Sequence, residues 1–122
     1  MLFDSLNQEF IAANSLNNNL VIIDPITLVQ TPVNVGIDPT SLAYDLQTST
    51  LVTSNLSSHT LSILDYVCPP SSGNPACLSP TVRAVLGLGG SQQFSVAIDP
   101  NLNLAVVADQ ANNRVLLVPL PH

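Results

Sequence analysis

The sequence predicts an all-β protein: about three four-stranded antiparallel blades of a β-propeller, the last blade lacking its outer strand. Three observations carry this. First, the chain repeats itself. Residues 1–24, 42–65 and 96–119 align with no gap. Asp4, Asp45 and Asp99 coincide, then Asn14, Asn55 and Asp109, then Asn18, His59 and Asn113, then Leu20, Leu61 and Val115. The copies start at residues 1, 42 and 96, so the second spacing exceeds the first by 13 residues, and Cys68 and Cys77 bracket an insert in that interval. Second, the apolar runs are short, rich in Val, Ile and Leu, and without helical period. Third, these runs are continuous rather than alternating, as in strands covered on both faces. A blade packed between two neighbours is covered in that way. A single sandwich of about eleven strands is the rival, but it has no need of ungapped repeats.

In copy one, residues 10–13 read as a strand, 14–19 as a polar turn and 20–23 as the next strand, which Asp24-Pro25 ends. Residues 28–35 read as a fourth strand with Pro32 inside it. Proline has no N–H for the ladder, so this strand belongs at an edge. Copy two opens with a strand at 42–44 and turns over 45–50. Residues 51–54 follow, then the turn 55–60, then 61–64. After the insert, 82–86 is the fourth strand and 87–90 leads out of it. Copy three has strands at 96–98, 105–108 and 115–118, and stops at Pro119-Leu120-Pro121-His122. The expected blades are residues 1–35, 36–89 (with the insert 68–80) and 90–122.

At 122 residues the chain has room for one small domain. It has no Lys, two Arg and a net charge of −6, so it carries no basic footprint for nucleic acid or an anionic membrane. No run approaches the ~20 apolar residues of a membrane-spanning helix. Met1-Leu2-Phe3-Asp4 has no basic leader character and aligns with the interior of the repeat. The expectation is a piece of a longer propeller, with any export signal upstream. Cys68 and Cys77 enclose eight residues, Pro-Pro-Ser-Ser-Gly-Asn-Pro-Ala. This is not metal-site spacing. Closing a short proline-rich loop suits a disulfide and an oxidising compartment; two free thiols are the alternative. The expected location is therefore extracellular, periplasmic or cell-surface.

The repeat carries further detail. Residues 35–44 read Val-Gly-Ile-Asp-Pro-Thr-Ser-Leu-Ala-Tyr, followed by Val52-Thr53-Ser54-Asn55 and His59-Thr60-Leu61-Ser62-Ile63-Leu64-Asp65. Copy one has Ile11-Ala12-Ala13-Asn14 and Asn18-Asn19-Leu20-Val21-Ile22-Ile23-Asp24. These segments resemble the YVTN family of β-propellers. Copy three, Val107-Ala108-Asp109-Gln110-Ala111-Asn112-Asn113-Arg114-Val115, looks more like the related NHL repeat. The resemblance covers nearly the whole chain outside 68–80. It is specific for fold and weak for function. Gly36 and Gly90 stand where one blade hands over to the next, a place expected to need positive φ. Asn14, Asn55 and Asp109 end second strands, and Asp4, Asp45 and Asp99 end first strands. A short polar side chain there can hydrogen-bond its own turn. Recurrence in every copy assigns these residues to structure, since a catalytic residue is needed only once.

The resemblance implies that ligands bind the face and channel formed by loops 36–41, 90–95, 14–19, 55–60 and 109–114. The polar candidates there are Asp38, Thr40, His59, Gln92, Gln93 and Arg114. A lone loop histidine such as His59 is more often a solvated turn residue, and Arg114 is expected to pair with a nearby carboxylate. The cysteine insert falls on the opposite face. No residue is assigned to catalysis or to a metal, and no cofactor is expected. Asn55-Leu56-Ser57 fits the glycosylation pattern, which is common by chance.

The leading expectation is a non-catalytic binding or scaffold module of an exported or cell-surface propeller, with a protein or small ligand as partner. The rival is a fragment of a lactonase- or lyase-like enzyme with a channel metal. That needs His, Asp or Glu at inner-strand starts, where this chain has Thr40, Ser41, Phe94 and Ser95. No nucleic-acid or membrane-inserted partner is expected. Three blades do not close a ring, so the end blades need either missing blades of the same chain or a second copy, such as two sets making six blades.

Overall fold

The computed structural model describes residues 2–4, 9–45, 48, 50–65, 81–89, 93–110 and 112–120. The insert with Cys68 and Cys77, and also Gly90 and Gln92, lie outside the described residues. Among the described residues are eleven strands in three antiparallel sheets.

The first sheet runs β1 (Leu2–Asp4), β2 (Glu9–Asn14), β3 (Asn19–Ile23), β4 (Gln30–Asn34). The second runs β5 (Pro39–Asp45), β6 (Thr50–Asn55), β7 (Thr60–Asp65), β8 (Thr81–Gly87). The third has β9 (Gln93–Asp99), β10 (Leu104–Asp109) and β11 (Arg114–Pro119). Each is a simple meander in chain order. The sequence repeat is also a register repeat. Ile11 lies opposite Ile22, Val52 opposite Ile63, and Val106 opposite Leu117.

The sheets stack face to face as blades, and the middle one explains the continuous apolar runs. Strand residues alternate between faces. Leu51 and Leu64 point to the first blade and pack with Ile11, Leu20 and Ile22. Val52, Leu61 and Ile63 point to the third blade and pack with Val96, Ala105, Val107, Leu88 and Leu120. All six positions of β6 are therefore buried, whereas β10 in the end blade alternates. Each Leu or Ile fully withdrawn from water here contributes about 1.5–3 kcal/mol.

Two local expectations are corrected. The fourth strand of the first blade begins at Gln30, not residue 28. The Asp24 carboxylate accepts the amides of Ile26 at 2.8 Å and Thr27 at 3.3 Å, closing a turn that ends with Leu28 at φ 64°. Those backbone amides hold the Asp24 carboxyl below the usual carboxylate range. Pro32 does lie in an edge strand, since among the described residues β4 pairs only with β3. The second correction concerns Gly36, which is not among the residues of positive φ. Glycine is needed there because of close approach: a Cβ would come within 2.7 Å of Asn55 Cγ and of Ser58 Oγ. At the next blade junction, Gly89 takes the positive φ, 65°.

Candidate functional site

The loops that join second to third strands, 15–18, 56–59 and the one holding Asn112 and Asn113, open on one face. Each places its left-handed residue at the same repeat position: Asn18 at φ 57°, His59 at 56° and Asn113 at 52°. Asparagine and histidine tolerate this conformation better than most residues. The backbone therefore gives His59 a reason to be there, independent of chemistry. Its carbonyl accepts the Leu88 amide at 2.8 Å, as the Asn18 carbonyl accepts the Val35 amide at 3.2 Å. The imidazole itself is exposed.

The loop that enters the middle blade is stitched to the turns on either side. The Asp38 amide donates to Asn18 Oδ1 of the first blade at 3.0 Å. The Asp38 carbonyl accepts the Leu56 amide at 2.8 Å, and the Ile37 carbonyl accepts the Ser57 amide at 3.2 Å. Ser58 Oγ accepts the Ile37 amide at 3.0 Å, and Ser57 Oγ donates to the Asp38 carboxylate at 3.3 Å. This rigid patch holds Asp38 at φ 62° and leaves Ile37 55% exposed.

Beneath the patch lies a network of neutral polar groups. Ser54 Oγ is 2.7 Å from Ser41 Oγ and 3.3 Å from Thr40 Oγ1, and Thr53 Oγ1 donates to the Ser41 carbonyl at 2.8 Å. Asn55 Nδ2 donates to Ser62 Oγ at 2.9 Å and Thr60 Oγ1 at 3.1 Å. Asn55 thus reaches across to β7 rather than bonding only its own turn. At the first turns, Asp99 does bond its own turn, accepting the Asn101 and Leu102 amides at 3.0 and 3.3 Å, and Asp45 accepts Thr48 Oγ1 at 2.8 Å.

Of the candidates, Asp38, Thr40 and His59 all belong to the middle blade and the loop that enters it. Arg114 lies on the third. Its Nε donates to Asp109 Oδ2 at 2.8 Å, and Asn112 Nδ2 donates to the same oxygen at 2.9 Å. The Asp109 side chain is fully buried, so Arg114 is committed to neutralising it. A shallow, open depression lies alongside, lined by Ala108, Asp109, Gln110, Asn113, Arg114 and Val115. Gln93 begins β9 opposite Asp109. Among the described residues, no group of three or more His, Cys, Asp or Glu is placed to hold a metal ion.

The network residues Ser54, Ser57, Ser58 and Ser62 were not singled out from the sequence. The usable signal was departure from the repeat. Ser54 stands where the other copies have Ala13 and Ala108, and Ser62 where they have Val21 and Leu116.

No protein-family model matches the chain, and no curated protein matches it in sequence. Solved structures do match it in shape. A chain of the mitotic checkpoint complex aligns with 99% of this chain at TM-score 0.77 and 11% identity, over 35% of its own length. Kuenenia stuttgartiensis hydrazine synthase aligns with 93% at TM-score 0.65 and 16% identity, over 33% of its chain. The Cps50 (Swd1) β-propeller domain of Myceliophteria thermophila aligns with 92% at TM-score 0.55 and 11% identity, over 40% of its chain. The fold is a partial β-propeller. At these identities the likeness shows the fold alone. The chain spans 33–40% of the length of these propeller-like relatives. In propeller terms β1, β5 and β9 are the opening strands of successive blades, and β5 packs against both β9 and the first blade.

Proposed function

We propose that these blades form a non-catalytic binding or scaffold module of YVTN/NHL kind, which takes a protein partner on the face built from residues 36–38 and 56–59. The observation that carries this is the stitched patch itself. Its backbone is fixed by hydrogen bonds from two blades, so little ordering entropy is left to lose on binding. Its residues offer an exposed isoleucine, neutral hydroxyls, one carboxylate and one imidazole. An extended peptide with an apolar anchor and neutral polar flanks fits that chemistry. The similar chain of the mitotic checkpoint complex belongs to a multi-protein assembly by name, which supports a protein partner. We extend the reading to an exported or cell-surface protein, on the short proline-rich loop between Cys68 and Cys77.

Panning a displayed peptide library against the immobilised chain tests the face. The expected result is enrichment of peptides that bind the native chain and Val85→Asp, but lose at least ten-fold in affinity to Ile37→Asp. Peptides that bind Ile37→Asp as well as the native chain would refute this face.

A further inference from the structure

The two ends of the blade stack are the separated halves of an interface that the chain already forms twice. On the third blade, the face turned away from the core carries Ala97, Val106, Val115 and Leu117. Val106 lies opposite both Ala97 and Leu117, which puts the three on one face. Val115 and Leu117 are 60% and 65% exposed. Shifted back by the repeat, these four positions are Ala43, Val52, Leu61 and Ile63. Those are the middle-blade residues packed against the third blade.

The first blade shows the converse. Its outward face carries Phe10 opposite Ile23 and Ala12 opposite Val21. Shifted forward by the repeat, Phe10 and Ile23 become Leu51 and Leu64, the middle-blade residues packed against the first blade. No charged residue stands at any of these eight positions, so bringing the faces together strips no ion of water.

We propose that the occupant of each end face is a second copy of this chain, bound head to tail, with the Phe10 face of one copy seated on the Leu117 face of the other. Two such contacts join six blades, a number that closes a propeller ring. The contact is heterologous, so it closes only if the blade rotation allows and otherwise runs on as a filament.

The test is the solution mass of the full 122-residue chain by light scattering across a range of concentrations. The expected result is a discrete dimer, twice the 12.9 kDa chain mass. Leu117→Asp and Phe10→Asp should each abolish it while keeping the far-UV β signal. Mixing the two variants should restore a dimer, because one intact Phe10 face then meets one intact Leu117 face. That rescue separates lost docking from lost folding, and a face-to-face dimer would not show it. A monomer, a species that keeps growing with concentration, or no dimer on mixing overturns the proposal.

Discussion

Replacing Gly36 by alanine places a methyl group 2.7 Å from both Asn55 Cγ and Ser58 Oγ and 2.8 Å from Asn55 Nδ2. Neither neighbour can simply step aside. Asn55 is fully buried and holds Thr60 and Ser62 through its Nδ2. Ser58 Oγ accepts the Ile37 amide and lies 3.1 Å from Thr60 Oγ1. Overpacking of this sort costs about 1–3 kcal/mol. Releasing the Ile37 amide adds about 1 kcal/mol. Against this, alanine gains about 0.4–1 kcal/mol by restricting the unfolded chain. The balance is a destabilisation of about 2 kcal/mol, or roughly 8 °C in Tm at about 4 °C per kcal/mol for a chain of this size. Urea unfolding followed by far-UV circular dichroism measures it. Gly87→Ala is the internal control, because a Cβ there meets nothing within 4 Å. It should be neutral or slightly stabilising. If Gly36→Ala matched or exceeded the native stability while Gly87→Ala behaved as expected, close approach would not be why residue 36 is glycine.

Three more outcomes follow from the same geometry. Arg114→Ala leaves the buried Asp109 carboxylate with Asn112 but without its cation. It should cost about 1–2 kcal/mol in urea unfolding, a value kept low because Arg114 is half exposed; no change would show that the buried carboxylate does not depend on Arg114. The Asp24 carboxyl, held down by the Ile26 and Thr27 amides, should titrate below its ordinary 3.8 in an NMR pH series. Because its folded pKa is depressed, its contribution is complete above the unfolded value and fades as pH falls through the folded one, so Asp24→Asn should flatten the stability profile only in acid; a titration at or above the ordinary value would remove this account. Cys68 and Cys77 should resist alkylation in the native oxidised chain and accept one adduct each after reduction; ready alkylation without reductant would point to two free thiols and weaken the exported reading.

The repeat made the strand order and register legible because each blade solves the same packing problem. A residue at the position of Ile11 must meet one at the position of Ile22, and it does so again at Val52 with Ile63 and at Val106 with Leu117. Periodicity carries no information about how a turn closes. That is why residues 28 and 29 read as strand: Leu28 and Val29 are apolar, while the turn is set by a carboxylate four residues upstream of Leu28. The same limit applied to Gly36. From the sequence a glycine at a junction signals φ, but here it signals a neighbour, and that neighbour lies 19 residues away in Asn55. Arg114 was legible only as a charge in need of a partner; the fold supplies Asp109, five residues back across the β10–β11 hairpin.

The polar network of the middle blade follows from its position in the stack. Within one chain the middle blade buries both faces, and with them every residue of β6. Apolar packing alone would fill that space, as Ala13 and Ala108 do at the position of Ser54 in the other copies. Hydroxyls and an amide buried there lose their water, and each hydrogen bond left unmade costs about 1–3 kcal/mol. Ser54 with Ser41, and Asn55 with Ser62, meet only when β5, β6 and β7 pair in the observed register. A slip of one residue would turn every side chain of β6 to the other face and strand those groups. The network therefore discriminates register more than it adds stability. It does so directly under the loop of residues 36–38, where a binding face needs its backbone held in place.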